Sequence, residues 1–294
     1  MMKKFAMTLA GWLLCGSVLA QNPPPQRIVA AGGSLVELIW ALDAGDKVVG
    51  VDETAVWPPQ VKQLPQIGYW KQLSIEGILS LRPDLFITWQ DAEPRLIFDQ
   101  LKHHNIRTVA LPRTPATPER LYENILALAE AVQAAEKGQA LVASLRQRLD
   151  RVAGRNACQT HPVRVMFLLA PGGSTPQVAG EGSVANVILT LAGGKNVATH
   201  RQYRSYSSEA IIAANPDVIV VTSQSGQGAR DKLAASVPGI DRTAAWKNQR
   251  IVEIDQSLIL GMGPRIVDAV EYLHQQFWPQ PDELKADAAC PSRS

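Results

Sequence analysis

Residues 67–71 place a phenol, an indole and an ammonium in one short turn. The stretch reads Ile67-Gly68-Tyr69-Trp70-Lys71, and Leu73-Ser74-x-Glu76-Gly77 follows as the start of a helix. Two aromatics packing on a loop would also account for it. Few other residues are spaced for chemistry. The five histidines (His103, His104, His161, His200, His274) form no H-x-H or H-x-x-x-H pair of the kind that holds zinc. His103-His104 closes a helical pattern, where the helix dipole favours an imidazolium. His200 follows a Gly-Gly turn and is a candidate ligand contact. Gly180-Glu181-Gly182-Ser183-Val184-Ala185 matches G-x-G-x-x-A. A dinucleotide site also needs a buried strand before it and an acid about 20 residues on. Thr175-Pro176-Gln177-Val178 is a poor strand, and Thr199-His200-Arg201 supplies no acid. There is no G-x-x-x-x-G-K-[ST] loop and no G-x-S-x-G elbow. With no nucleophile–base or two-carboxylate arrangement either, the chain reads as a binder and not an enzyme.

The elements that position these residues occur twice. Residues 73–89 (LSIEGILSLRPDLFITW) and 206–222 (YSSEAIIAANPDVIVVT) align at one offset. Ser74 and Ser207, Glu76 and Glu209, Ile78 and Ile211, Pro83 and Pro216, and Asp84 and Asp217 coincide. Each copy predicts a helix, a Pro-Asp turn and a buried strand. A weaker pair lies upstream, Ser34 to Val48 against Ser183 to Val197. Two repeats in the same order imply two similar lobes, and a cleft between lobes is a common small-molecule site.

Strand and helix patterns alternate in both halves, which predicts α/β lobes with mostly parallel sheets covered on both faces. Thr117-Pro118-Glu119 opens a helix with an N-cap, a proline at N1 and an acid. Apolar residues at helical spacing run on to Gly154, and Gly138 marks an expected break between two registers. About twenty residues of helix span roughly 30 Å, enough for a strut between lobes. The expected organisation is a leader at residues 1–20, a first lobe at 21–133, a linker helix at 134–154, a second lobe at 155–279 and a polar tail at 280–294.

Lys3 and Lys4 followed by an apolar run and Val18-Leu19-Ala20 read as a signal peptide cleaved after Ala20. Removing both lysines takes the formal net charge of the 294-residue chain from +2 to zero, which argues against nucleic acid as partner. Cys158 and Cys290 remain, as a disulfide or as two thiols, and both readings stay open.

The Gly68-Tyr69-x-Lys71 turn and its L-S-x-E-G helix resemble the periplasmic haem-binding proteins of bacterial ABC haem importers. Two further stretches share the resemblance. One runs from Ala170-Pro171-Gly172-Gly173 through Val178-Ala179-Gly180 to Leu191-Ala192-Gly193-Gly194; the other is Leu260-Gly261-Met262-Gly263-Pro264-Arg265. Relatives for cobalamin or siderophores share the S-x-E helices but are less similar at Tyr69 and at 261–265. The resemblance spans about residues 26–278. It implies two Rossmann-like lobes joined by a long linker helix, in a monomer that captures haem in the cleft and delivers it to an inner-membrane ABC permease. A corrinoid or ferric siderophore is the alternative cargo.

In that family reading Tyr69 is the metal ligand. A phenolate is a hard donor suited to Fe(III); a free tyrosine ionises only near pH 10, so the iron and a nearby cation must help it. Lys71, where many relatives have arginine, is the expected cation on the phenolate oxygen. Trp70, Trp89, Ile259 and Met262 are candidate porphyrin walls. Arg204, Tyr206 and Arg265 are candidate partners of the propionate edge. Glu76 and Glu209, one per lobe, are the expected docking pair for arginines of the permease.

Overall fold

The computed structural model describes residues 23–159, 161–169, 175–223 and 228–279. The leader, Cys290, the 280–294 tail and the Ala170 to Gly173 stretch lie outside the described residues. The first lobe comprises β1 (Ile28–Ala30), α1 (Gly33–Ala41), β2 (Val48–Val51), α2 (Ile75–Ser80), β3 (Leu85–Trp89), α3 (Leu96–His103), β4 (Arg107–Leu111) and α4 (Pro118–Ala131). Then comes α5 (Ala135–Ala157). The second lobe has β5 (Val163–Leu169), β6 (Gln177–Ala179), α6 (Val184–Leu191), β7 (Gly194–Asn196), β8 (Tyr203–Ser205) and α7 (Ser208–Ala214). It continues with β9 (Val218–Ser223), α8 (Ala229–Ser236), α9 (Ala244–Lys247), β10 (Ile251–Asp255), α10 (Gln256–Leu260) and α11 (Ile266–Phe277).

The first sheet is wholly parallel in the order β2-β1-β3-β4. All of β3 is buried, as expected for a strand covered on both faces. The second sheet is mixed. β10, β9 and β5 run parallel, with β7 also parallel to β5. β6 and β8 run antiparallel at the other edge. The glycine motif at 180–185 therefore follows a short antiparallel strand, not the parallel strand of a nucleotide site. The short β7 and β8 and the weakly amphipathic α8 leave little periodicity to read in sequence.

The repeat has a mechanical basis. Ser74 and Ser207 cap α2 and α7, their hydroxyl oxygens accepting from the Gly77 and Ala210 amides. Asp84 accepts from the amides of Gln26 (2.7 Å) and Arg27 (3.1 Å), and Asp217 from the amide of Arg164 (3.0 Å). The Arg27 guanidinium donates to the Leu81 carbonyl and that of Arg164 to Ala214, the C-terminal turns of the preceding helices. In both lobes the Asp thus sets the register in which β3 lies beside β1 and β9 beside β5.

α5 joins the lobes. Its first half packs on α4, where Gly138 lies so close to Ala129 that a methyl group there would clash. Gly138 is thus a contact inside α5 and not the expected break; the chain turns instead at Gln133, with φ of 60°. Farther along, Arg148 on α5 forks onto Glu271 and Asp268 of α11 at 2.6–3.0 Å. Asn156 donates to the Leu191 carbonyl and contacts His274 Nδ1 at 2.9 Å.

A second link crosses the molecule. The loop from Gly261 to Arg265 lies against the start of α1, where a methyl group at Gly261 would meet Ser34 at 3.3 Å and one at Gly263 would meet Glu37 at 3.2 Å. Arg265 forks onto the buried carboxylate of Glu37 (Nε to Oε2, 3.0 Å) and donates to Ser257 Oγ at 2.9 Å. This brings the exit of β10 to the exit of β1, so the carboxyl ends of the two sheets meet at the clasp.

Burial pushes the Glu37 carboxyl up, and Arg265 offsets only part of that rise. Arg265→Ala strands an unpaired buried acid and should cost about 3–5 kcal/mol at neutral pH. A carboxyl raised in the folded state favours folding below its unfolded value and loses that contribution as pH rises through the folded value. The deficit of the variant should therefore shrink as pH falls, because protonation of Glu37 removes the stranded charge. Urea unfolding at pH 4 and pH 7 measures it; equal deficits would contradict the clasp.

Candidate functional site

The Tyr69 turn hangs between the loops that leave β2 and β3. The Ile67 amide donates to Val51 and the Glu53 amide to Gly68, both at 3.0 Å. On the other side the Glu93 amide donates to Trp70 (3.0 Å) and the Leu73 amide to Glu93 (2.9 Å). The turn closes with the Gln72 amide on the Tyr69 carbonyl at 2.7 Å. Gly68 enters it at φ +88°, which a side chain would resist. Beneath lies Asp52, fully buried, accepting from the Gly32 amide (2.8 Å) and from the Thr54 hydroxyl. Burial pushes the Asp52 carboxyl up against these hydrogen bonds. Thr54 in turn accepts from the Gly33 amide. The β1–α1 turn and the loop after β2 are locked together, and the Tyr69 turn is bonded to that loop.

Tyr69 is half-buried, and its ring meets Trp70 edge-on with centroids 5.7 Å apart. Trp70 itself is 9 % exposed. Lys71 sits over the Trp70 ring at 4.7 Å and donates to the Asp91 carbonyl (2.6 Å) and to Glu93 Oε1 (2.9 Å). Burial lowers the Lys71 pKa, but Glu93 and Asp91 outweigh it and hold the ammonium charged. Among the described residues none of its hydrogen bonds goes to Tyr69. The cation that sequence reasoning aims at the phenolate oxygen instead ties the turn to the loop after β3.

The other candidates are dispersed. Trp89, Ile259 and Met262 are buried like Trp70, so all four wall candidates belong to the core. Arg265 is held in the clasp by Glu37 and Ser257. In the second lobe Arg204 is exposed on β8 and Tyr206 follows it half-buried. His200 has both nitrogens in use: Nε2 faces the Val178 carbonyl at 3.1 Å and so donates, while Nδ1 accepts from the Tyr206 hydroxyl at 2.9 Å. Ligating a metal through His200 would break one of these bonds.

Trp57 and Val56 are large apolar side chains that the core does not take up. Both are exposed, at 44 % and 46 %, on the loop after β2 that also holds Gly68. The Arg265 guanidinium lies 4.6 Å over the Trp57 ring, which places Trp57 at the lobe junction. In the sequence Trp57-Pro58-Pro59 only breaks a pattern; its position just past the carboxyl end of a parallel strand is the signal that could have marked it.

Glu76 and Glu209 occupy equivalent, exposed places in the first turns of α2 and α7. Each carboxyl is held below its ordinary range by its own amide and by the capping serine hydroxyl, Ser74 or Ser207. At these equivalent places each lobe presents a solvated negative charge.

A model of the family described as "Periplasmic binding protein" matches residues 28–258. A solved periplasmic haem-binding protein from Pseudomonas aeruginosa is similar with a TM-score of 0.81 and 35% identity, covering 88% of this chain and 94% of that one. The curated relatives include an ABC transporter substrate-binding lipoprotein, YvrC, of Bacillus subtilis, 27% identical over 87% of this chain and 81% of that protein. A vitamin B12-binding protein of Photorhabdus laumondii is 26% identical over 86% and 88%. Two lobes joined by a helix and a match across both lobes agree: the chain belongs to the periplasmic binding protein family, non-catalytic proteins that carry a substrate to the membrane permease of an ABC transporter.

Proposed function

We propose that the cargo is haem, held by the Tyr69 phenolate on Fe(III). The observation that carries this reading is the half-buried tyrosine on a turn bonded to two strand-exit loops at the lobe junction. The 35% identity to a haem-binding protein supports it. A rigidly presented phenol needs no reorganisation to meet a metal, and a hard ferric ion supplies the charge that ionises it. Trp57 and Val56 offer an apolar face to a flat macrocycle, and Arg204 and Tyr206 are the second lobe's candidates for its edge. Lys71 acts through the loop after β3, fixing the turn. Export through the leader at residues 1–20 places the chain where such a cargo is collected. A second reading, a corrinoid, is favoured by the relatives named for vitamin B12.

The Tyr69→Phe change removes one oxygen and keeps the ring. Hemin on that variant should lose the phenolate-to-iron charge-transfer band of the wild type and pass to an acceptor protein at least tenfold faster. An unchanged spectrum and off-rate would remove Tyr69 from the iron.

Delivery follows from the paired glutamates. Two separated charges fix orientation and speed encounter more than they add affinity. Glu76→Lys with Glu209→Lys should abolish hemin-stimulated ATP hydrolysis by the reconstituted permease while hemin affinity stays within twofold. Normal stimulation by the double variant would leave both residues as helix-terminal groups and nothing more.

A further inference from the structure

Beside the Tyr69 turn, past the carboxyl ends of β3 and β4, the first lobe carries an open groove of about 430 Å³. Its lining includes Gln90, Asp91, Arg95, Phe98, Pro112 and Arg113. Two of these are guanidiniums laid over aromatic rings, Arg95 at 5.4 Å from Phe98 and Arg113 at 5.1 Å from Trp70. Arg113 also bonds Asp91 Oδ2 at 3.0 Å. That oxygen already has Lys71 at 3.5 Å, and Lys71 bonds Glu93 as well. Lys71 and Arg113 are thus matched by two carboxylates. Arg95 is the excess charge: its hydrogen bond goes to the neutral Gln90 carbonyl, and among the described residues it has no acidic partner. An arginine stacked on a ring holds its planar fork in place, the geometry that suits a carboxylate.

We propose that this groove is a carboxylate subsite, in which Arg95, with Arg113 behind it, takes the anionic edge of the ligand whose metal Tyr69 holds. This rests on the haem reading, since haem carries two carboxylates on one edge of an otherwise apolar disc. Arg113, which lines the groove, lies over Trp70 of the Tyr69 turn, and Trp57 is on the other loop bonded to that turn. An asymmetric disc is then oriented by three different chemistries: an apolar wall, a phenolate and a guanidinium pair. Arg265, the arginine first expected at that edge, is taken up by Glu37, whereas Arg95 is uncommitted to any acid.

The test compares hemin with its dimethyl ester, in which both carboxylates are masked, on the wild-type full chain, Arg95→Gln, Arg95→Lys and Arg113→Gln. A charge-assisted hydrogen bond of the usual strength corresponds to about tenfold in affinity. Wild type should bind hemin about tenfold more tightly than the ester. Arg95→Gln should lose about tenfold for hemin and little for the ester, bringing the ratio towards one, and Arg95→Lys should retain part of the preference. Arg113→Gln should also lower the ratio. The Tyr69 charge-transfer band should persist in every variant, which reports an intact turn. Wild-type discrimination retained in both glutamine variants, with that band present, overturns the groove and leaves the haem reading standing. Failure of the wild type to bind hemin at all overturns both.

Discussion

A guanidinium from the start of α11 and a carboxylate on α1 hold the two lobes in register, and the candidate site depends on that pairing. The Glu37 side chain is 7 % exposed, so it cannot be left alone, and Arg265 cannot be moved without stranding it. Gly261 and Gly263 are the steric condition for the pair, because they let the loop before α11 settle on Ser34. With α5 fixed to α11 by Arg148 on the far side, the lobes are joined at two places. The carboxyl ends of both sheets meet in a fixed relation, and a ligand placed there meets a surface already formed.

Within that frame the first lobe divides the work among loops. Asp52 and Thr54 fix the exits of β1 and β2, and Lys71 binds the exit of β3 to the Tyr69 turn. Backbone amides hold the turn from both sides, so Tyr69 is the one ring of the Tyr69–Trp70 pair left partly open while Trp70 is used as packing. Preorganisation of this kind lowers the ordering cost of binding without adding a contact.

Much of this is legible in the residues. The duplicated Ser-x-Glu and Pro-Asp positions announce two lobes because each has the same task in both: capping a helix, or fixing a strand by its amides. The Tyr69 turn stands out because its Gly-Tyr-x-Lys pattern and following L-S-x-E-G helix resemble haem-binding relatives, although packing of two aromatics would also account for it. What is not legible is partner choice. Lys71 lies two residues from Tyr69 but bonds residues twenty and twenty-two positions on. Arg265 finds Glu37 across 228 residues, a pairing that no local pattern encodes. Trp89 and Ile259 look like walls by type, yet burial on both faces of a parallel sheet or under a helix hides them; Trp57, next to two prolines, looks like a breaker and is exposed. The antiparallel edge of the second sheet is missed because three-residue strands leave too little alternation to read.

With haem as the proposed cargo, a phenolate on this turn should select a ferric porphyrin over a corrinoid. Titrating the wild-type protein with hemin and with cyanocobalamin in parallel, following the visible spectrum and the heat of binding, tests it most directly. Hemin should bind saturably with a phenolate-to-iron charge-transfer band, and cyanocobalamin at least a hundredfold more weakly. Tight cyanocobalamin binding with hemin excluded, or hemin binding with no such band, would contradict it.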